Sequence, residues 1–243
     1  MISDRSDRRC PMSLAVSLTA AAVLSVLGCI ASSTPTRQET PVALDLPVSA
    51  YVEASRTAAR TTVVGKVSQG ARKPDAPDEP LTGTVVMLLP YSDAVRARLD
   101  AIKQGARASA DKFVTAAVDM RKARAAFEAA LWERGAADLV LTTTVEADGT
   151  FRLEGVPAGR WLLYATHARF RTKEGASRIG RDGRFPQERR FEGFYNVTVW
   201  LRELRIEATP PEVIELTDRN VWFTGVAEEW SFRPRPPIGS GPR

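Results

Sequence analysis

The chain has 243 residues, with 34 Lys and Arg against 29 Asp and Glu, a net charge of +5 and a sequence pI near 9.5. Basic and acidic side chains are interspersed almost throughout, so the charge supports mild attraction to anionic lipid or polysaccharide, and nucleic acid is not an expected partner. The cysteines are Cys10 and Cys29 and the one histidine is His167, which excludes disulfides, thiolate metal sites and a cysteine nucleophile after residue 29 and any multi-histidine metal centre.

The N-terminus carries an uninterrupted small and apolar run from Ser13 to Leu27, too short for a comfortable membrane span. Arg5, Arg8 and Arg9 precede it, diluted by Asp4 and Asp7, and Gly28 and Cys29 end it where a peptidase would cut. The Val26-Leu27-Gly28-Cys29 ending resembles the lipobox of bacterial lipoprotein signal peptides. That resemblance implies a signal peptide over residues 1–28 and acylation of Cys29, with the lipid as the link to a membrane. Ile30, not Asp, follows the cysteine, which by the same resemblance implies the outer membrane of the cell envelope where the source has one. Two competing readings are a twin-arginine export signal at Arg8 and Arg9, opposed by Cys10 and Pro11, and a buried helix with an incidental cysteine.

Residues 29–58 read as a flexible tether, rich in Ser, Thr, Pro and Gln up to Pro47. A sandwich domain is expected over 59–230. It opens with a strand at Thr61 to Val67, a polar loop at Ala71 to Pro80 and a strand at Leu81 to Leu89. From Asp93 to Arg134 there is no Pro and Ala, Arg, Lys and Glu abound, which predicts a helical insert over 92–135. Val95, Leu99, Ile102 and Ala106 share one face, and Phe113, Ala116, Met120, Phe127 and Leu131 continue the stripe. An unbroken helix of about 40 residues would reach about 60 Å. A break at Gly105 to Ser109 gives a hairpin that packs on its own domain, and a protruding coiled-coil arm is the alternative.

Short strands are predicted again at Leu139 to Glu146, Phe151 to Glu154, Trp161 to Ala168, Gly193 to Leu204 and Val213 to Gly225. The stretch 171–192 reads as a long basic loop, in which Arg171, Lys173, Arg178, Arg181, Arg184, Arg189 and Arg190 outnumber Glu174, Asp182 and Glu188. Residues 231–243 read as a disordered Pro and Gly tail.

Thr142 to Ala165 is the strongest pattern after residue 29. Asp148-Gly149 supplies the φ angles of a tight hairpin turn, Phe151 and Leu153 alternate with Arg152, and Pro157 and Gly159 shape the next turn. Trp161, Leu163 and Ala165 then oppose Leu162 and Tyr164, so both faces are apolar and the strand belongs at the centre of a sandwich. This segment, with Val63-Val64-Gly65-Lys66-Val67 and Pro80 to Leu89, resembles carboxypeptidase regulatory-like domains of the transthyretin-like β-sandwich type. The resemblance covers roughly Thr61 to Ala168 and Phe194 to Leu216 without the insert. It implies a mainly β fold, a seven-stranded sandwich with the helical hairpin between its second and third strands, and a non-catalytic module of folding, adhesion, polysaccharide contact or assembly.

The chemistry-bearing inventory is thin. His167 alternates with Leu163 and Ala165 near a strand end and reads as structural, and no nucleophile elbow, phosphate loop or dinucleotide fingerprint appears. The expectation is no enzyme and no cofactor. In Phe194 to Leu201, Tyr195, Val197, Val199 and Leu201 form a natural core face, while Phe194, Asn196, Thr198 and Trp200 set two aromatics beside two hydrogen-bonding side chains. Sugar rings stack on such platforms; equally, the helical insert could cover them. Trp222 and Trp230 are further candidates. Two functions remain: an assembly or protein-interaction lipoprotein, and a surface polysaccharide-binding module.

Overall fold

Serines begin both helices of the insert. The Ser92 hydroxyl accepts from the Val95 N–H and Ser109 from Lys112, so each satisfies a backbone donor that a helix start leaves orphaned. The computed structural model describes residues 48–57, 60–71, 76–172, 179–180, 187–207 and 213–234. In chain order these form α1 (Val48–Thr57), β1 (Arg60–Gln69), β2 (Glu79–Pro80), β3 (Val85–Pro90), α2 (Asp93–Gly105) and α3 (Ala110–Glu133). Then follow β4 (Leu141–Thr144), β5 (Thr150–Pro157), β6 (Gly159–Thr172), β7 (Ile179–Gly180), β8 (Gln187–Ile206), β9 (Ile214–Leu216) and β10 (Phe223–Pro234).

The strands build two sheets. In the first, β1 pairs antiparallel with β5 and β2 and parallel with β9; in the second the order is β10-β8-β6-β3-β4, with β7 on β8. The fold is thus mixed, a two-sheet sandwich with three α-helices, and among the described residues it has ten strands where seven were expected. Five consecutive residues of β6, Trp161 to Ala165, are buried, as a strand covered on both faces requires. Register pairs Leu163 with Leu88 and Ala165 with Val86 and Trp200 on the face turned to the first sheet. Tyr164 pairs with Met87 and Leu201 on the other face, where Arg124 of α3 lies over the Tyr164 ring.

The insert is the expected hairpin and it packs on its own domain. Val95, Leu99, Ala106, Ala116, Met120, Phe127 and Leu131 are buried as the stripe predicts, whereas Phe113 is exposed. A Cβ built on Gly225 would lie 3.6 Å from the Ala117 methyl, so β10 passes directly beneath α3.

Four other expectations are corrected. The tether over 29–58 includes helix α1, which Tyr51 fixes by an edge-on contact with the Trp161 ring at 5.5 Å and a hydroxyl hydrogen bond to the Arg160 carbonyl. Asp148-Gly149 does make a turn, with Gly149 at φ +87° and the Asp148 carboxylate accepting from the Thr150 N–H at 2.9 Å. Its two strands do not form a hairpin, because β4 joins β3 in one sheet and β5 joins β1 in the other. The basic loop over 171–192 is strand wherever it is described: β6 runs to Thr172, β7 pairs with β8, and β8 begins at Gln187. The tail over 231–243 starts as strand, since β10 pairs with β8 as far as Pro234 opposite Gln187. The expected signal peptide over residues 1–28 and the expected lipidation site Cys29 lie outside the described residues.

Candidate functional site

Beyond Thr166, β6 loses β3 as a neighbour and pairs only with β8, while β8 continues to pair with β10 out to residue 234. The second sheet therefore narrows into a three-stranded ribbon. Residues 168–172 of β6 are all exposed.

Directly opposed residues of an antiparallel pair share a face, which sorts the ribbon side chains. Arg171, Phe194 and Glu228 lie in one row and Arg169, Asn196 and Val226 in the next. Toward the sandwich come His167, Thr198 and Thr224, then Ala165 and Trp200. Outward, the register between β8 and β10 shifts at Glu229 and Trp230, so one extra β8 residue is accommodated between Phe191 and Gly193. Such a bulge re-aims the side chains that follow. It brings Phe191 opposite Trp230, with ring centroids 5.0 Å apart, and Trp230 donates its indole N–H to the Glu228 carboxylate at 2.9 Å on the Phe194 face. The opposite face carries Phe170 against Tyr195, centroids 5.0 Å apart.

The four residues of the predicted platform therefore separate. Trp200 is 1% exposed and donates its indole N–H to the Thr217 carbonyl at 2.8 Å, inside the sandwich and not beneath the helices. It has no ring face to offer a ligand. Phe194 and Thr198 are part-exposed and Asn196 is exposed, and they share a face with part-exposed Phe191 and Trp230 and exposed Arg169, Arg171 and Glu228. Of these, Trp230 was among the sequence candidates. Phe191 was not, because strict alternation from Phe194 sends it to the other face and nothing local announces the bulge. Trp222 belongs elsewhere, under the Lys103 ammonium at 4.7 Å on α2.

His167 is half-buried and its Nδ1 lies 3.1 Å from the Thr84 hydroxyl, which itself donates to the Leu81 carbonyl at 2.6 Å, so the imidazole Nδ1–H is the donor. Burial, then the Arg169 charge, hold the His167 pKa below its ordinary value. Among the described residues no group of three or more His, Cys, Asp or Glu side chains converges as a metal site would.

A cleft of about 330 Å³ opens at the other end of β6, lined by Ala50, Tyr51, Ala54, Tyr91, Asp93 and Arg160 among others. Its polar groups serve one another. Arg160 stacks 4.0 Å over the Tyr91 ring and meets Glu203 through two nitrogens at 2.9 and 2.7 Å, and the Tyr91 hydroxyl donates to Asp93 at 3.0 Å. Helix α1 forms one wall of the cleft through Ala50, Tyr51 and Ala54.

No family model and no curated protein matches the chain. Among solved structures, 71% of the chain is similar to 97% of a Pseudomonas aeruginosa protein described as a "putative carbohydrate binding protein", at 16% identity and a TM-score of 0.39. A further 64% match covers 40% of a pilus backbone protein of Streptococcus pneumoniae, at 14% identity and a TM-score of 0.23. Both likenesses are distant and concern the β-sandwich alone.

Proposed function

We propose that the protein is a lipid-anchored, non-catalytic interaction module of the cell envelope, tied to the membrane through Cys29 and engaging an envelope protein through the open face of the β6–β8–β10 ribbon. One observation carries this reading: register and bulge gather part-exposed Phe191, Phe194 and Trp230 on one face of the ribbon, beside Arg169, Arg171, Asn196 and Glu228. Part-exposed aromatics with arginine beside them are the composition of interface hot spots. A photo-crosslinking side chain at Asn196, in the full chain expressed in its own cells, tests it. A discrete adduct from position 196 and none from exposed Arg98 on α2 supports the reading; equal labelling from both positions sinks it.

The polysaccharide reading draws on the same face. Rings for stacking, with Asn196, Thr198 and Arg171 for hydroxyl groups, suit a glycan chain lying along β8. Retention on peptidoglycan or a surface polysaccharide that survives raised salt and fails in Trp230→Ala selects the glycan. No retention on any polymer leaves the protein partner.

A further inference from the structure

Three separate elements hold the cleft at the start of β6. Tyr91 and Asp93 come from the junction of β3 and α2, Arg160 from the start of β6 and Tyr51 from α1. The Arg160 carbonyl ties the three together, accepting from the Tyr91 N–H at 3.1 Å and from the Tyr51 hydroxyl. The space exists because the wall beside the rings is small. Ala50 and Ala54 stand one helical turn apart on α1, and a Cβ on Gly159 would lie 3.3 Å from the Tyr51 ring. The volume of about 330 Å³ lies at the lower end of the ~300–1,000 Å³ of ligand clefts.

The contacts that order the polar groups leave hydrogen-bonding atoms over. Glu203 Oε1 accepts from both Nε and Nη2 of Arg160, and among the described residues nothing accepts from Nη1, which carries two N–H donors. The Tyr91 hydroxyl donates to Asp93 Oδ1, and among the described residues nothing donates to Oδ2. Burial holds the Tyr51 and Tyr91 hydroxyls above their ordinary pKa, with Asp93 adding to the second, so both stay neutral. A carboxylate or phosphate ligand would meet the charges of Asp93 and Glu203, and an amine would meet Arg160. A neutral ring with an apolar C–H face and hydroxyls at its edge meets neither objection. Each hydroxyl can give its proton to a carboxylate and accept from a guanidinium, while the C–H face lies on tyrosine and alanine.

We propose that this cleft is a second binding site and takes a single neutral sugar ring, with Asp93 and Arg160 bonding its hydroxyls and Tyr51, Tyr91 and the α1 alanines against its apolar face. The site stands at the opposite end of β6 from the ribbon and does not rest on the ribbon reading.

The test titrates the full chain, in a detergent without a sugar headgroup, with the methyl glycosides of glucose, galactose, mannose and N-acetylglucosamine by isothermal calorimetry. Glucuronate and glucosamine are the charged controls. The expected result is saturable binding of at least one neutral glycoside, weakened about tenfold or more by Ala54→Leu, which fills the cleft, and by Asp93→Asn, which keeps an acceptor for Tyr91. The Phe194→Ala/Trp230→Ala double variant binds as the wild type does. Melting temperatures are measured on the same samples, and Asp93→Asn decides where Ala54→Leu disturbs the fold. Absence of binding by every neutral glycoside, tighter binding of either charged sugar, or affinity unmoved by Asp93→Asn overturns the proposal. Loss of binding in the ribbon double variant places the sugar on the ribbon and overturns it as well.

Discussion

The indole N–H of Trp200 donates to the carbonyl of Thr217 at 2.8 Å, joining β8 of one sheet to the chain leaving β9 of the other. The ring fills the space between the sheets and the hydrogen bond satisfies a carbonyl at their seam. Trp200→Ala is therefore expected to cost about 3–5 kcal/mol of stability through the lost ring and the cavity it leaves. Trp200→Phe costs less, about 1 kcal/mol for the lost hydrogen bond, because the Thr217 carbonyl keeps the Asn220 N–H at 3.2 Å. Urea unfolding checks both, and loss of binding in either variant reflects loss of fold.

Phe194→Ala and Trp230→Ala are expected to behave in the opposite way. Both side chains are part-exposed on the ribbon, so each substitution costs about 1 kcal/mol of stability or less. The double variant weakens partner binding by about tenfold or more, the scale of a hot-spot pair. Calorimetric melting with a binding isotherm on the same samples separates the two effects.

Two glycines are required for different reasons. A Cβ on Gly65 would collide with the Ile214 carbonyl and the Phe151 ring, so Gly65→Ala should force β9 away from β1 and cost about 3 kcal/mol. Gly135 has open space around it and a left-handed φ of +68°, so Gly135→Ala carries backbone strain alone, about 1 kcal/mol. Chemical denaturation should rank the variants in that order.

His167 makes stability depend on pH. Its folded pKa lies below the ordinary value of 6.5, through burial first and the Arg169 charge second. In the window between the depressed and ordinary values the unfolded chain binds the proton more readily, so this contribution is complete above about pH 6.5 and is lost as pH falls through the folded pKa. Melting temperatures measured from pH 7.5 to 5 should fall more for the wild type than for His167→Gln.

The apolar periodicity and serine caps of the insert are local signals, and they locate α2, α3 and the break between them. The two-faced apolar run of β6 likewise marks it as central. The Asp148-Gly149 turn has the same residues whether its strands stay together or part, and only the competition of β1 and β3 for β5 and β4 decides the outcome. The open face of β8 was legible in part. Asn196 and Phe194 lie on it as alternation requires, but both faces of β8 are apolar near Trp200, and local sequence cannot say which sheet or helix covers which face. The bulge beyond Gly193 then brings Phe191 onto the Phe194 face, a register event set by the partner strand. Helix α1 is ten residues long, too short to declare itself by propensity, and owes its place to the Tyr51 contact with Trp161.

The central claim is that the ribbon face holds the protein's envelope partner. Its most direct test is retention of the full chain by native cell envelopes stripped of free lipid, comparing the wild type with the folded Phe194→Ala/Trp230→Ala double variant. A drop of about tenfold or more in apparent affinity, with the melting temperature preserved, is the predicted result. Equal retention of the two proteins would contradict the account.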